Sequence, residues 1–314
     1  MEFFHKVSKF PFMHTRRTWY GISATAIVAS IALVAIRGLN WGIDFTGGMV
    51  VDLDFSQPVQ AERVRSALIA AGMKEAQLQM FGGERRAMVR LPPAPEGAAN
   101  SEAKLGDQVV IALRSVDPNV RRGSVSDVGS QVGKDLADDG GLALLMTFLL
   151  ILIYVWFRFE KKMGAGAIIA ALHDPFIIVG FFAVTQITFD ISALVAVLTV
   201  IGYSLNDTVV VFDRVRDNFL SMRSAKPEEV IDASVNQTLS RTVITSGATL
   251  MVVVVLLIFG GPVLLPFSSA LTVGIIVGTY SSIYVAAAAA LDFGLTARDL
   301  MPIHKDDPEL DALP

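Results

Sequence analysis

Six apolar runs divide the 314-residue chain, at residues 18–36, 140–157, 163–187, 191–212, 243–259 and 263–291. Each is close to the roughly 20 residues needed to cross about 30 Å of hydrocarbon, so each predicts a transmembrane helix. The last is long enough to tilt or to project beyond the bilayer. Residues 39–131, between the first two runs, follow a different pattern. Val51, Leu53 and Phe55 alternate with Asp52 and Asp54, which predicts a half-buried strand. Ala61, Val64, Leu68 and Ile69 recur at helical spacing, closed by Gly72. Ala76, Leu78 and Met80 alternate with Gln77 and Gln79, and Gly82-Gly83 offers a hairpin turn into a strand over 87–91. A flexible connection is expected over 92–101. Leu105, Val109, Val110 and Leu113 predict a second helix, and a weaker strand follows over 120–128. The order βαββαβ is that of a ferredoxin-like split βαβ unit. The predicted fold is therefore an α-helical membrane protein with six transmembrane helices and a small α/β ferredoxin-like (βαββαβ) extracytoplasmic domain between helices 1 and 2.

Composition agrees with a membrane protein. The chain is 53% hydrophobic and 18% charged, with a mean hydropathy of +0.54, where soluble domains sit near about 25% charged. A net charge of −4 argues neither way on nucleic acid, and no such partner is predicted. The absence of cysteine excludes disulfides, thiolate metal sites and cysteine nucleophiles. Three of the four histidines lie near the chain ends, so no metal centre or cofactor is expected.

Charge also sets the expected orientation. Lys6, Lys9, Arg16 and Arg17 precede the first run. A cleaved signal peptide shares that pattern, but this run is long and lacks a small-x-small site, so an uncleaved anchor is expected. Arg158, Lys161 and Lys162 follow the second run, and Arg214, Arg216, Arg223 and Lys226 follow the fourth. The opposite loops, 186–190 and 260–266, contain no Lys or Arg. The positive-inside rule then puts both termini, 1–17 and 292–314, in the cytoplasm. Residues 213–242 are expected to form a cytoplasmic loop and the start of span five, with a short amphipathic helix after Pro227 that serves as a connector.

Ionisable groups inside a span cost about 2.5–3.5 kcal/mol at its centre and therefore call for a reason. Asp207 lies seven residues before Arg214, or about 10 Å along a helix, which puts it well within the membrane. Tyr203 and Ser204, at i−4 and i−3, share its face and are expected hydrogen-bond partners. Asn206 extends the polar break, and Asp213 beside Arg214 is read as an interfacial ion pair. Arg241, at the margin of span five, can snorkel to water or reach a carboxylate on a neighbouring helix. Two readings stay open: a fixed Asp207–Arg241 ion pair that orients helices, or a carboxylate that gains and loses a proton as its partner changes. Burial favours the neutral carboxyl and a nearby arginine the charged one. His173-Asp174-Pro175 falls near the middle of span three. A structural role is favoured there, because adjacent helix positions face different directions and proline alters local geometry. Gly274 and Gly278 form a GxxxG in span six, extended by Ser281 and Ser282, that permits close helix approach, by default internal.

No enzyme signature is present: no Gly-rich phosphate loop, GxSxG elbow or HExxH. His173 with Ser246 is the best available pair for an intramembrane serine protease, and that pairing is generic.

Several of these residues carry a resemblance. Gly42-Ile43-Asp44-Phe45-Thr46-Gly47-Gly48, just outside span one, resembles the signature of the SecF family, the smaller member of the SecD–SecF pair. The segments 171–174, 202–214 and 237–246 are also similar to that family, in its order and across nearly the whole chain. The Asn206-Asp207 element and Arg241 favour SecF over SecD. The resemblance implies a protein-transport subunit of the bacterial inner membrane and a member of the resistance–nodulation–division superfamily. It implies that the chain joins SecD, associates with the SecYEG translocon and, surrounded by membrane lipid, uses protons of the proton motive force to help translocate a preprotein. It further implies that Asp207 and Arg241 are the proton-pathway residues, supported by Asn206, Ser204, Tyr203, His173 and Asp174, and that a missing partner half faces Asp207. Gly42, Asp44, Gly47 and Gly48 match the family signature. A half-transporter exporting small molecules and a scaffold for SecD or the channel are the competing functions.

Overall fold

The computed structural model describes residues 8–81, 84–92, 101–222 and 224–300. The expected Gly82-Gly83 turn, most of the 92–101 connection, Lys6, Arg223 and the segment after Leu300 lie outside them. Among the described residues, six helices are long and apolar enough to cross a membrane.

After a 3-10 turn at Met13–Thr15, helix α1 (Arg16–Arg37) is the first span. A short helix α2 (Ile43–Thr46) leads into the α/β domain, built from β1 (Gly48–Asp54), α3 (Ala61–Ala70), β2 (Gln77–Phe81), β3 (Arg86–Leu91), α4 (Ser101–Leu113) and β4 (Arg121–Val128). The strand order is β2-β3-β1-β4. β3 pairs antiparallel with both β1 and β2, in register Val51↔Val89 and Leu78↔Val89, and β4 flanks β1 with Val51↔Val125. β1 and β2 are thus parallel with β3 inserted between them, the ferredoxin-like βαββαβ arrangement. Alternation decides the two faces. Val51, Leu53, Ala87 and Val89 bury against Val64 and Leu68 of α3 and Val109 and Leu113 of α4. Each large side chain so buried contributes about 1.5–3 kcal/mol. Arg90, between Val89 and Leu91 on β3, consequently points to the opposite face.

The remaining spans are α5 (Ser130–Arg158), α6 (Lys161–Thr185), α7 (Ile191–Ser221), α8 (Pro227–Phe259) and α9 (Gly261–Ser281). α9 continues through a π-helical turn, Ser282–Ala286, into α10 (Ala287–Asp292), and α11 (Ala297–Leu300) follows. α5 turns Leu145, Leu150, Trp156 and Phe157 outward, the surface expected to meet lipid. α6, α7 and α9 form the centre of the bundle.

The 31 residues of α7 reach about 46 Å, beyond the hydrocarbon thickness, so most of the segment expected as a loop is helical. Val215 and Phe219 of α7 share a buried cluster with Val230, Ile231 and Val235 of α8. The amphipathic pattern after Pro227 therefore belongs to the first turns of span five, with proline at the helix start, where its missing N–H costs nothing. Asp213 pairs with Arg158 at the end of α5, not with its neighbour Arg214.

The GxxxG of α9 packs inside the chain. A Cβ on Gly274 would stand 2.2 Å from Val200 Cγ2, and one on Gly278 would stand 3.0 Å from Ser204 Cβ. This close approach brings Ser281 of α9 against Ser204 of α7.

Candidate functional site

Asp207 is buried, with 3% of its surface exposed, and its carboxylate is turned into its own bundle. Ser246 Oγ of α8 donates to Asp207 Oδ2 at 3.3 Å. Ser246 Oγ also accepts from Thr279 Oγ1 of α9 at 2.8 Å, and Tyr203 Oη reaches Ser246 and Thr249 at 3.5 and 3.4 Å. Ser246 thus touches the carboxylate directly, and hydroxyls of α7 and α9 back it. Asp207 and Arg241 form no ion pair among the described residues, and Arg241 is exposed, although within Coulombic range of the carboxylate. Asn206 also faces outward.

Two expected contacts are replaced. Tyr203 and Ser204 lie on the Asp207 side of α7, but neither hydrogen-bonds to it. α8 and α9 approach so closely that their hydroxyls are nearer partners: Tyr203 turns to α8, and Ser204 Oγ meets Ser281 Oγ of α9 at 3.4 Å. Within this chain, Ser246 of α8 and, behind it, Thr279 of α9 stand on the Asp207 side.

A second polar group lies in α6. His173 and Asp174 project about 100° apart on the helix, yet His173 Nδ1 and Asp174 Oδ1 are 2.9 Å apart. Asp174 is fully buried and accepts from Ser281 Oγ at 3.0 Å. His173 Nε2 meets Ser23 Oγ of α1 at 3.2 Å, and Ser23 in turn meets Tyr280 Oη at 2.7 Å. Ser281 thereby joins the His173–Asp174 pair to Ser204, one helical turn from Asp207. Among the described residues, His173 and Ser246 do not pair: His173 meets Asp174 and Ser23, and Ser246 meets Asp207. The sequence signal for these partners was the hydroxyl spacing Thr242, Ser246 and Thr249 on α8 and the run Thr279 to Ser282.

The glycine-rich heptapeptide sits at the other end of α7. Asp44 Oδ2 accepts from the Ile191 N–H at 3.1 Å, the first residue of that helix. Gly42 donates to the Phe189 carbonyl at 2.8 Å, and a Cβ on Gly42 would stand 2.8 Å from that of Asp190. Gly47 and Gly48 have φ of 69° and 119°, conformations that side chains resist, and they turn the chain into β1.

Comparison with known proteins places this geometry. Residues 108–296 match the model of the protein export membrane protein SecD/SecF C-terminal family, and residues 32–59 match the SecD/SecF GG motif. The protein translocase subunit SecF of Vibrio alginolyticus is 44% identical over 306 residues, covering 96% of each chain. That of Pseudomonas aeruginosa is 42% identical over 306 residues, covering 96% of this chain and 97% of its own. The crystal structure of SecDF, a translocon-associated membrane protein from Thermus thermophilus, superposes on 91% of this chain at 35% identity and a TM-score of 0.82. A SecDF structure in a super-membrane-facing form matches at 34% identity with a TM-score of 0.65. This chain spans 39% of the length of those SecDF chains. The match to the SecD/SecF model, and the relatives that align along nearly their full length, place this chain in the SecD/SecF family, among the SecF subunits.

Proposed function

We propose that this chain is a proton-coupled, non-enzymatic subunit of the Sec protein-export machinery, working with SecD beside the SecYEG channel in the bacterial inner membrane. Both termini lie in the cytoplasm and the α/β domain lies outside. The translocase names of its relatives and their matching length support the export role. The positive loops at one end of the spans support the orientation.

The observation that carries the proton reading is the setting of Asp207. A carboxylate deep in a span has a single serine hydroxyl on it, while Arg241 is exposed and forms no ion pair with it among the described residues. A neutral, protonated carboxyl suits that setting, because an uncompensated buried charge is costly. Moving Arg241 inward would favour the ionised form, and moving it out would favour proton uptake. One proton crossing 100 mV carries about 2.3 kcal/mol, enough to bias a two-state movement of the domain. Asn206 and Arg241 are both exposed, and a polar group such as Asn206 facing lipid within a span is costly, which supports a covering partner such as SecD there.

The test is preprotein translocation in vesicles carrying the complete complex, with and without an imposed proton gradient. Asp207→Asn and Arg241→Met complexes are expected to assemble normally and lose gradient stimulation. A small-molecule exporter would instead show gradient-driven drug efflux. A scaffold would show full stimulation with both variants.

A further inference from the structure

The heptapeptide is unexplained by a proton site about 24 Å away along α7, and Arg90 of β3 has no part in that site. Both converge on one place, the turn between α6 and α7. Arg90 Nη1 donates to the Trp41 carbonyl at 2.6 Å and to Asn40 Oδ1 at 3.0 Å, and its Nη2 donates to Thr188 Oγ1 at 2.8 Å. One guanidinium from the centre of the sheet therefore holds both the strand leaving α1 and the turn entering α7.

The two membrane segments are themselves tied. Phe189 donates to the Asn40 carbonyl and Gly42 to the Phe189 carbonyl, both at 2.8 Å, a short parallel bridge between Trp41 and Phe189. Trp41 and Phe182 both pack edge-on against Phe189. Asp190 caps α7 by accepting from the Ala193 N–H at 2.9 Å, and Asp44 accepts from the next free donor, that of Ile191. Gly42 cannot be larger without displacing Asp190, so the tightness of the turn is written into the motif. Arg90 is partly buried here, with the carboxylates of Asp44 and Asp190 in its electrostatic surroundings.

We propose that Arg90 and Asp44 form a rigid transmission joint that fixes the extracytoplasmic sheet to the α6–α7 turn, so that the domain and the helix carrying Asp207 move as one body. The function of the joint rests on the proton reading of Asp207. Arg90 and Asp44 are positioning residues: they touch neither proton nor preprotein, and they carry movement between the two. Two parallel connections resist hinging where a single strand would not. Charge-assisted bonds of the Arg90 kind are the strong ones.

The experiment uses the complete complex in vesicles and reads proton flux and preprotein translocation separately. In Arg90→Met and Asp44→Leu complexes, gradient stimulation of translocation is expected to fall roughly tenfold, the factor that one lost charge-assisted hydrogen bond is worth. Asp207-dependent proton flux is expected to persist. Asp44→Asn keeps a carbonyl oxygen for the Ile191 N–H and is expected to restore stimulation. Loss of flux in Asp207→Asn alone tests the proton reading, so the two failures are distinguishable. A second measurement does not depend on how the variants assemble. The chain has no cysteine, so spin labels at Glu75→Cys and Thr185→Cys, both exposed positions, report the distance across the joint. One narrow distance, the same with Asp207 and with Asp207→Asn, is expected. A distance that changes with Asp207→Asn, or Arg90→Met and Asp44→Leu complexes that retain full stimulation, would overturn the joint.

Discussion

Ser246 holds Asp207 from a different helix: its hydroxyl donates to the buried carboxylate at 3.3 Å. That contact ties α7 to α8 at the depth of the proposed proton site, and Thr279 of α9 backs it at 2.8 Å. Ser246→Ala removes the hydroxyl and leaves the helices in place, because the side chain shrinks by one oxygen. The loss of one neutral donor is worth about 1 kcal/mol. Gradient-stimulated export is therefore expected to fall by roughly fivefold, well short of the loss in Asp207→Asn. Initial rates in vesicles at saturating preprotein check it, and a Ser246→Ala complex as inactive as Asp207→Asn would give the serine a larger role.

The His173–Asp174 pair is expected to act through assembly. Asp174 is fully buried, with His173 on one oxygen and Ser281 on the other. Asp174→Ala leaves both without that partner and is expected to cost about 1–3 kcal/mol, the scale for buried polar groups left unpaired. Thermal unfolding of the purified chain in detergent measures this. Asp174→Asn, which keeps an acceptor, is expected to lose less.

Packing between α7 and α9 leaves no room at Gly274. A methyl there would meet Val200 at 2.2 Å, on a branched side chain with little freedom to move. Gly274→Ala is expected to destabilise the chain by about 1–3 kcal/mol. Gly247→Ala, where nothing lies within 4 Å in this chain, is the control expected to be neutral in isolated protein. Melting temperatures of the two variants in detergent compare them.

The sequence made the six spans readable because each carries a continuous apolar run. The βαββαβ domain was equally readable, because Val51, Leu53 and Phe55, and then Val64 and Leu68, keep strict strand and helix periods. Asp207 stood out because a charge in such a run is costly. Its partners did not. Tyr203 and Ser204 share its face by spacing, but which hydroxyl reaches the carboxylate depends on how closely α8 and α9 pack against α7, a tertiary contact that Gly274 and Gly278 set for α9. The same holds for Asp213, whose partner Arg158 is 55 positions away in the chain. Arg90 gave no signal, because a charged residue on the polar side of a strand is ordinary. Only the fold brings it to the turn before α7.

Outside the membrane, Asp117 makes the domain sensitive to acid. Burial alone would push its carboxyl up, but the N–H of Asn119 and the hydroxyl and N–H of Ser56 donate to it and hold it below the usual carboxylate range. A carboxylate depressed in the folded state adds stability above its unfolded value of about 3.9, and that stability is lost as pH falls through the lower folded value. The domain is expected to loosen below about pH 4 in step with Asp117 protonation. Asp117→Ala is expected to remove this acid step and to destabilise the domain by about 1–3 kcal/mol at neutral pH, the cost of the donors left unpaired. Hydrogen exchange of β1 and α3 in the full chain, followed from pH 6 to pH 3, measures both.

The most direct test of the account follows proton entry and preprotein export in the same vesicles, comparing the native complex with Asp207→Asn. The account predicts that an imposed gradient drives proton entry and speeds export in the native complex, and does neither in an Asp207→Asn complex that assembles to the same level. Gradient-stimulated export at the native rate in that variant would contradict it.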